Sequence, residues 1–369
     1  MGILSLTTEI LFGFLALSAL VLLVVFWSKF SRQNLRFVTA RISIIIFINV
    51  FVIASLGIAI NRYGDFYASW SDLFGINQNL AAVAIAPKDV SLVTPAEIAK
   101  ADRTPDGALI FKEVITGEKS RISDFVYVVA SPTLAKALLA GRGLQSLPNY
   151  QIEELFSGFP GVPQTWIGSL NGIHTMSVLD KEGKIPPTLA VIPSINVVPR
   201  NDTECLDIPN VADVETWLTN DMFTFMTKFV GIDARPWNVF GYSTGGWCAA
   251  EVALRHPDLY KSAVVLAGYF QPQFATKLTV AAKATLTQKY DLVKTAKSTF
   301  SNPPILIIYS SQDRFSFDQM KKFTSAVKGY VSTPIITIPQ GGHNIQVWKP
   351  YIGSGFIWSA TGEIKLNQN

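Results

Sequence analysis

Charged side chains are scarce in this chain. Asp, Glu, Lys and Arg make up 16% of its residues, against about a quarter in an ordinary soluble domain. The deficit has a location, because two long uncharged runs fall within the first 60 residues. Histidine is scarcer still: three residues in 369 offer no metal cluster and reduce the search for a catalytic base to three positions. Cysteine occurs only at Cys205 and Cys248. An even pair in an exported domain fits a disulfide, and two separate buried thiols fit equally well, because spacing alone does not bring two Cα atoms together. The formal net charge is +4, and Lys29, Arg32, Arg36 and Arg41 account for all of it. A neutral remainder without a basic stripe excludes nucleic acid as a partner, since binding there needs clustered Lys and Arg. Internal repeats and low-complexity tracts are lacking as well.

What is present at the start is apolar. Ile10 to Trp27 gives 18 residues without a charge and Ile42 to Ile60 gives 19. At 1.5 Å per residue each helix spans roughly 27–29 Å, close to the hydrocarbon thickness of a bilayer. A cleaved signal peptide would carry its positive charges ahead of the first run and a small-residue cleavage site after it; here the charges follow the run. The expectation is a retained transmembrane hairpin with membrane contact through residues 10–27 and 42–60. Residues 28–41 hold four basic and no acidic side chains. The positive-inside rule keeps that short loop in the cytoplasm and places the rest of the chain on the far side.

Three segments follow from this: a two-helix transmembrane anchor over 1–61, a proline-interrupted connecting stem over 62–107 in which 79–86 reads as a short helix, and a catalytic domain over 108–369. Within the last, Ala108 to Ile115 and Asp124 to Ala130 read as strands joined by a turn at Gly117-Glu118-Lys119-Ser120. Tyr150–Phe156, Thr188–Ile192, Asn238–Tyr242, Ala263–Ala267, Pro304–Ser310 and Pro334–Ile338 read as further strands. Val214, Trp217, Leu218, Phe225 and Phe229 fall at helical spacing and predict an amphipathic helix over about 212–230; Thr244–Arg255 and a segment around Phe317–Val327 are helical too. Strands alternating with helices of this length mean crossover connections and an α/β fold with a mostly parallel sheet. Residues 270–303 interrupt the rhythm and read as a helical insertion suited to capping a substrate site.

Gly241-Tyr242-Ser243-Thr244-Gly245 sits between a strand and a helix. In that context a serine stands on a strained turn with its hydroxyl at the top of the sheet, and the flanking glycines remove side chains that would collide there. A serine hydroxyl needs a base. His256 ends the nucleophile's own helix and reads as a packing or capping residue, and His174 lies ahead of the Thr188 strand. His343, in Gly341-Gly342-His343-Asn344 directly after the last strand, is the base expected from the chain order Ser, Asp, His. Asp313 ends the apolar run from Ile305 and is the expected acid, with Asp318 as second choice and a helix N-cap as its alternative role. The oxyanion hole needs two donors. The Thr244 amide is one, and the Phe159 amide in Ser157-Gly158-Phe159-Pro160-Gly161 is the candidate for the other, although a plain Gly/Pro turn has the same pattern.

These residues, with Phe159-Pro160-Gly161, Arg200-Asn-Asp-Thr-Glu-Cys205, Glu215-Thr-Trp-Leu-Thr219, Gly241–Gly246 and Gly341-Gly-His-Asn followed by Val347-Trp348, resemble the esterase D-like branch of the α/β-hydrolases. That branch includes actinobacterial esterases and mycolyltransferases. The resemblance covers roughly residues 108–352. It implies an α/β-hydrolase fold, no cofactor and no metal, an Asp202–Cys205 loop near the active site, and a bond between Cys205 and Cys248. Relatives typically end the strand before Phe159 in His-Gly or Asp-Gly, where this chain has Ser157-Gly158. The expected activity is a serine esterase acting on acyl esters of envelope lipids or glycans. The alternatives are transfer of the acyl group to a sugar or lipid alcohol and a catalytically silent envelope-binding module.

Overall fold

The computed structural model of the protein describes residues 5–27, 35–64, 70, 93–142, 149–199, 201–231, 235–274 and 277–365. The chain divides into two compact units, residues 1–78 and 79–369. The short helix expected over 79–86 and the Lys29–Arg32 part of the basic loop lie outside the described residues.

The first unit is a pair of helices, α1 (Leu6–Val25) and α2 (Leu35–Gly64). Leu6–Val25 and Arg36–Asn61, of 20 and 26 residues, are long and apolar enough to cross a membrane. The helices run antiparallel: the Phe12 and Phe51 rings lie 5.3 Å apart, and Ser55 Oγ donates to the Glu9 carbonyl at 3.3 Å. Only a narrow seam is buried within the pair, including Ala16, Leu23 and Ile58, while Phe14, Leu17, Val24, Ile53 and Ile60 face outward. Helices apolar on every side need apolar surroundings for those faces.

The second unit is built on a nine-stranded sheet with the order β1-β2-β3-β5-β4-β8-β9-β10-β11. The strands are β1 (Asp102–Arg103), β2 (Leu109–Thr116), β3 (Ser123–Ala130), β4 (Gln151–Phe156), β5 (Thr188–Pro193), β8 (Trp237–Tyr242), β9 (Tyr260–Leu266), β10 (Ile305–Ser310) and β11 (Ile335–Ile338); β6 (Asp207–Ile208) and β7 (Ala212–Asp213) form a small separate hairpin. Pairings from β1 to β5 through β2 and β3 are antiparallel, and all those from β5 to β11 are parallel. Alternate side chains feed two cores. On one face Phe156, Val239, Val265 and Ile307 pack with α3 (Pro132–Leu139), α5 (Met222–Val230), α6 (Thr244–Arg255) and α9 (Arg314–Ala326). On the other, Leu155, Phe240, Val264 and Ile308 pack with α4 (Gly172–Lys181) and α10 (Ile352–Thr361).

One feature departs from expectation. The helix read over 212–230 is interrupted. Residues 212–213 pair as β7, Val214–Thr216 form a single α-helical turn, Trp217–Asp221 form a π turn, and the α-helix resumes at Met222. The Asp221 carboxylate accepts the amides of Lys119 and Ser120 at 3.0 and 2.9 Å, and Trp217 Nε1 donates to the Ser194 carbonyl at 3.1 Å. Those tertiary bonds reward the wider turn that periodicity alone does not reveal. The insertion over 270–303 contains α7 (Val280–Lys289) and α8 (Leu292–Ser298), and the link between them at Lys289 and Tyr290 meets the Arg255 end of α6. Arg255 Nη1 donates to the Lys289 carbonyl at 2.9 Å, and Tyr290 Oη donates to Glu215, which also holds Arg255. That end is about 18 Å along the helix from Ser243.

Candidate active site

Because β4, β8, β10 and β11 are parallel, the loops leaving their carboxyl ends all emerge at one edge of the sheet, where ligands of open α/β sheets bind. Ser243 follows β8 with φ 55° and ψ −123°, a conformation costly for a residue with a Cβ. The turn is held because the Ser243 amide donates to the Leu266 carbonyl at 2.9 Å and the Ser243 carbonyl accepts from Gly246 at 2.9 Å. Gly245 permits it: a Cβ there would stand 2.4 Å from the Phe156 carbonyl oxygen.

Ser243 Oγ lies 2.9 Å from His343 Nε2, and His343 Nδ1 lies 2.5 Å from Asp313 Oδ2. Asp313 both caps α9 and reaches the imidazole. Its Oδ1 accepts the Ser316 amide at 3.3 Å and its Oδ2 accepts the Ser316 hydroxyl at 2.8 Å. Burial raises the pKa of this carboxyl, but the hydrogen bond and charge of His343, with the Ser316 donors, outweigh it and hold the group below its ordinary value. Asp318 lies one turn further into α9, and the structure does not bring it to the imidazole. Nor does it bring the other two histidines there: His256 Nε2 is 2.8 Å from Glu215, and His174 Nδ1 is 2.5 Å from Asp106.

The loop after β4 passes beside the serine. A Cβ on Gly158 would be 3.0 Å from Ser243 Cβ, so the Phe159 amide belongs to the same corner as the Thr244 amide that opens α6. Helix geometry leaves the Thr244 amide without an acceptor four residues back. Ser157 donates from Oγ to the Val162 carbonyl at 2.9 Å and closes the loop internally.

A family model described as "Putative esterase" matches residues 155–328, which include the elbow and Asp313. A ferulic acid esterase structure superposes with a TM-score of 0.58 at 14% identity, over 69% of this chain and 98% of its own. An S-formylglutathione hydrolase from Agrobacterium tumefaciens gives 0.56 at 17%, over 71% and 98%. The fluorophosphonate-binding serine hydrolase F of Staphylococcus aureus gives 0.56 at 13%, over 69% and 99%. The chain has the α/β-hydrolase fold, and its residues 155–328 are similar to the esterase family. An uncharacterised protein of Corynebacterium glutamicum is 26% identical over 227 residues, 56% of this chain; the chain spans about half (51%) of that relative's length.

Several residues that surround the candidate site carry no sequence signal of their own. Asn196 Nδ2 donates to the carbonyls of Gly158 and Gly161 at 3.0 and 2.6 Å and fixes the Phe159 loop from outside. The Trp348 ring stands edge-on to the His343 imidazole, with centroids 4.7 Å apart. Gln312 Oε1 accepts the Gly341 amide at 2.8 Å and Ser310 Oγ donates to the Gly341 carbonyl, so the loop carrying His343 is tied to the loop carrying Asp313.

A strap over Asp202–Cys205 lies against the start of α6. Cys205 is bonded to Cys248, with Cα atoms 5.7 Å apart, and Trp247 Nε1 donates to the Glu204 carbonyl at 2.8 Å. The Glu204 carboxylate accepts the amides of Gln273 and Phe274 at 2.9–3.1 Å. Burial pushes its pKa up to about 7 despite those donors, and the Asp202 charge adds to the rise. Among the described residues no group of three or more His, Cys, Asp or Glu is arranged to hold a metal ion.

Proposed function

We propose that this hydrolase is a membrane-anchored, extracytoplasmic serine esterase that cleaves acyl esters of envelope lipids or glycans through an acyl-enzyme on Ser243. The unbroken hydrogen-bond chain Asp313–His343–Ser243, with the serine on its positive-φ elbow, carries this reading. His343 Nε2 takes the Ser243 proton as Oγ attacks the ester carbonyl. Asp313 holds Nδ1–H, fixes the tautomer and stabilises the imidazolium. The tetrahedral oxygen takes hydrogen bonds from the Thr244 and Phe159 amides. Collapse expels the alcohol with the proton from His343, and water attacks the acyl-enzyme by the reverse route.

The apolar hairpin supports a membrane anchor, and Lys29, Arg32, Arg36 and Arg41 between its runs support a cytoplasmic loop with the catalytic unit outside. A site held at a membrane surface meets lipid-borne esters more often than soluble ones. The test is turnover of p-nitrophenyl esters of increasing chain length by the full-length protein in detergent, alongside Ser243→Ala. Hydrolysis lost in that variant is expected; hydrolysis that persists would remove Ser243 from the chemistry. Adding trehalose or a lipid alcohol and looking for acylated product separates water from an alcohol as acceptor.

A further inference from the structure

We propose that Asp202 is a positioning residue for the oxyanion hole, acting on the Thr244 amide through the Thr244 hydroxyl. The inference rests on the serine-esterase reading of the site and adds to it a residue outside the triad.

The geometry is specific. Thr244 Oγ1 donates to Asp202 Oδ2 at 3.0 Å, and the other carboxylate oxygen, Oδ1, accepts the Glu204 amide at 2.8 Å. Both side chains are buried, at 5% and 7% exposure, so water does not compete for these bonds. Thr244, Trp247 and Cys248 fall at i, i+3 and i+4 on one face of α6, and each is attached to the same short strap: the first to Asp202, the second to the Glu204 carbonyl, the third to Cys205. The strap thus grips one helical turn at three points, and only the Asp202 contact touches the residue whose amide faces the developing oxyanion.

That residue needs an external hold. Ser243 places the elbow outside the helical region, so the first helical residue has only one neighbour in regular geometry. An oxyanion donor is effective only when fixed within a few tenths of an ångström before the reaction. A carboxylate beside a nascent oxyanion is itself unfavourable, yet the amino end of α6 favours negative charge and two donors already occupy the Asp202 oxygens. Tyr269, its ring parallel to Trp247 at 5.7 Å, brings its phenol beside Thr244 and Glu204 and closes the far side of the cluster.

Steady-state ester hydrolysis by full-length Thr244→Val, Thr244→Ser, Asp202→Asn and Thr244→Val/Asp202→Asn, each rate divided by active sites titrated with a fluorophosphonate, tests the assignment. Titration removes any loss of folded protein from the comparison. Thr244→Val keeps the shape and removes the donor, and is expected to lower kcat on the order of tenfold with KM within about twofold. Thr244→Ser keeps the donor and recovers most of that loss. Asp202→Asn, with one oxygen for two donors, falls between them, and the double variant is no slower than Thr244→Val, because both changes break one bond. A Thr244→Val kcat within twofold of wild type, a Thr244→Ser as slow as Thr244→Val, or losses that multiply would overturn the proposal. If wild type turns over no ester, or Ser243→Ala is as active as wild type, the serine-esterase reading itself has failed instead.

Discussion

The bond between Cys205 and Cys248 permits the most quantitative prediction. It closes a loop across 43 residues, and in the chain-entropy account a loop of that length removes roughly 13 cal/mol/K from the unfolded ensemble, about 4 kcal/mol at 25 °C. The native strap has other attachments: Asp202 to Thr244, the Glu204 carbonyl to Trp247, and the Glu204 carboxylate to Gln273 and Phe274. Native geometry is therefore expected to survive loss of the crosslink, with the cost falling on the unfolded side of the equilibrium. Cys205→Ala/Cys248→Ala adds two small cavities, because both cysteines are fully buried, so 4 kcal/mol is a lower figure for that variant. Urea unfolding of the full-length proteins in one detergent, followed by tryptophan fluorescence, provides the assay; six of the eight tryptophans lie beyond residue 108. A variant within 1 kcal/mol of wild type would refute both the entropic reasoning and the view of the strap as a restraint on α6.

Other expectations follow from particular groups. Glu154 is fully buried on β4, and burial raises its carboxyl pKa to about 8 against the hydrogen bond from Tyr260. Between about pH 4.5 and 8 the folded state therefore keeps a proton that the unfolded state has lost, and stability falls with rising pH by up to about 1.4 kcal/mol per unit for this group. Glu154→Gln is expected to flatten that slope in unfolding midpoints measured from pH 5 to 8; an unchanged slope contradicts the buried, protonated state. Asp313→Asn is expected to lower kcat by roughly 10⁴-fold through loss of the imidazole tautomer, with KM little affected; a loss under tenfold in steady-state assays would move the acid elsewhere. Asn196→Ala frees the Gly158 and Gly161 carbonyls and is expected to lower kcat on the order of tenfold by loosening the Phe159 amide. An effect on KM alone would dissociate that loop from the oxyanion.

Ser243, Asp313 and His343 were legible in the sequence because each follows a strand with a strong local pattern, and the order of the three along the chain limits their pairing. The apolar runs were legible from composition alone. Asn196 was not, since its partners are backbone carbonyls 35 and 38 residues away that leave no trace in local sequence. Strands of two residues, β1, β6 and β7, are too short to show a period. The break at Trp217–Asp221 was hidden because apolar spacing continues through it, while the bonds that create it come from Lys119, Ser120 and Ser194 in distant segments. The insertion over 270–303 showed its helices, whereas the bonds by which Glu215 holds Arg255 and Tyr290 together link distant segments and left no local pattern.

The central claim is acyl chemistry on Ser243, and covalent trapping tests it most directly. The full-length protein is treated with a fluorophosphonate at pH 8, digested, and mapped by mass spectrometry. The account predicts one phosphonylated residue, Ser243, with labelling abolished in Ser243→Ala and slowed at least a hundredfold in His343→Ala. Labelling at another serine, or at an undiminished rate without His343, would contradict it.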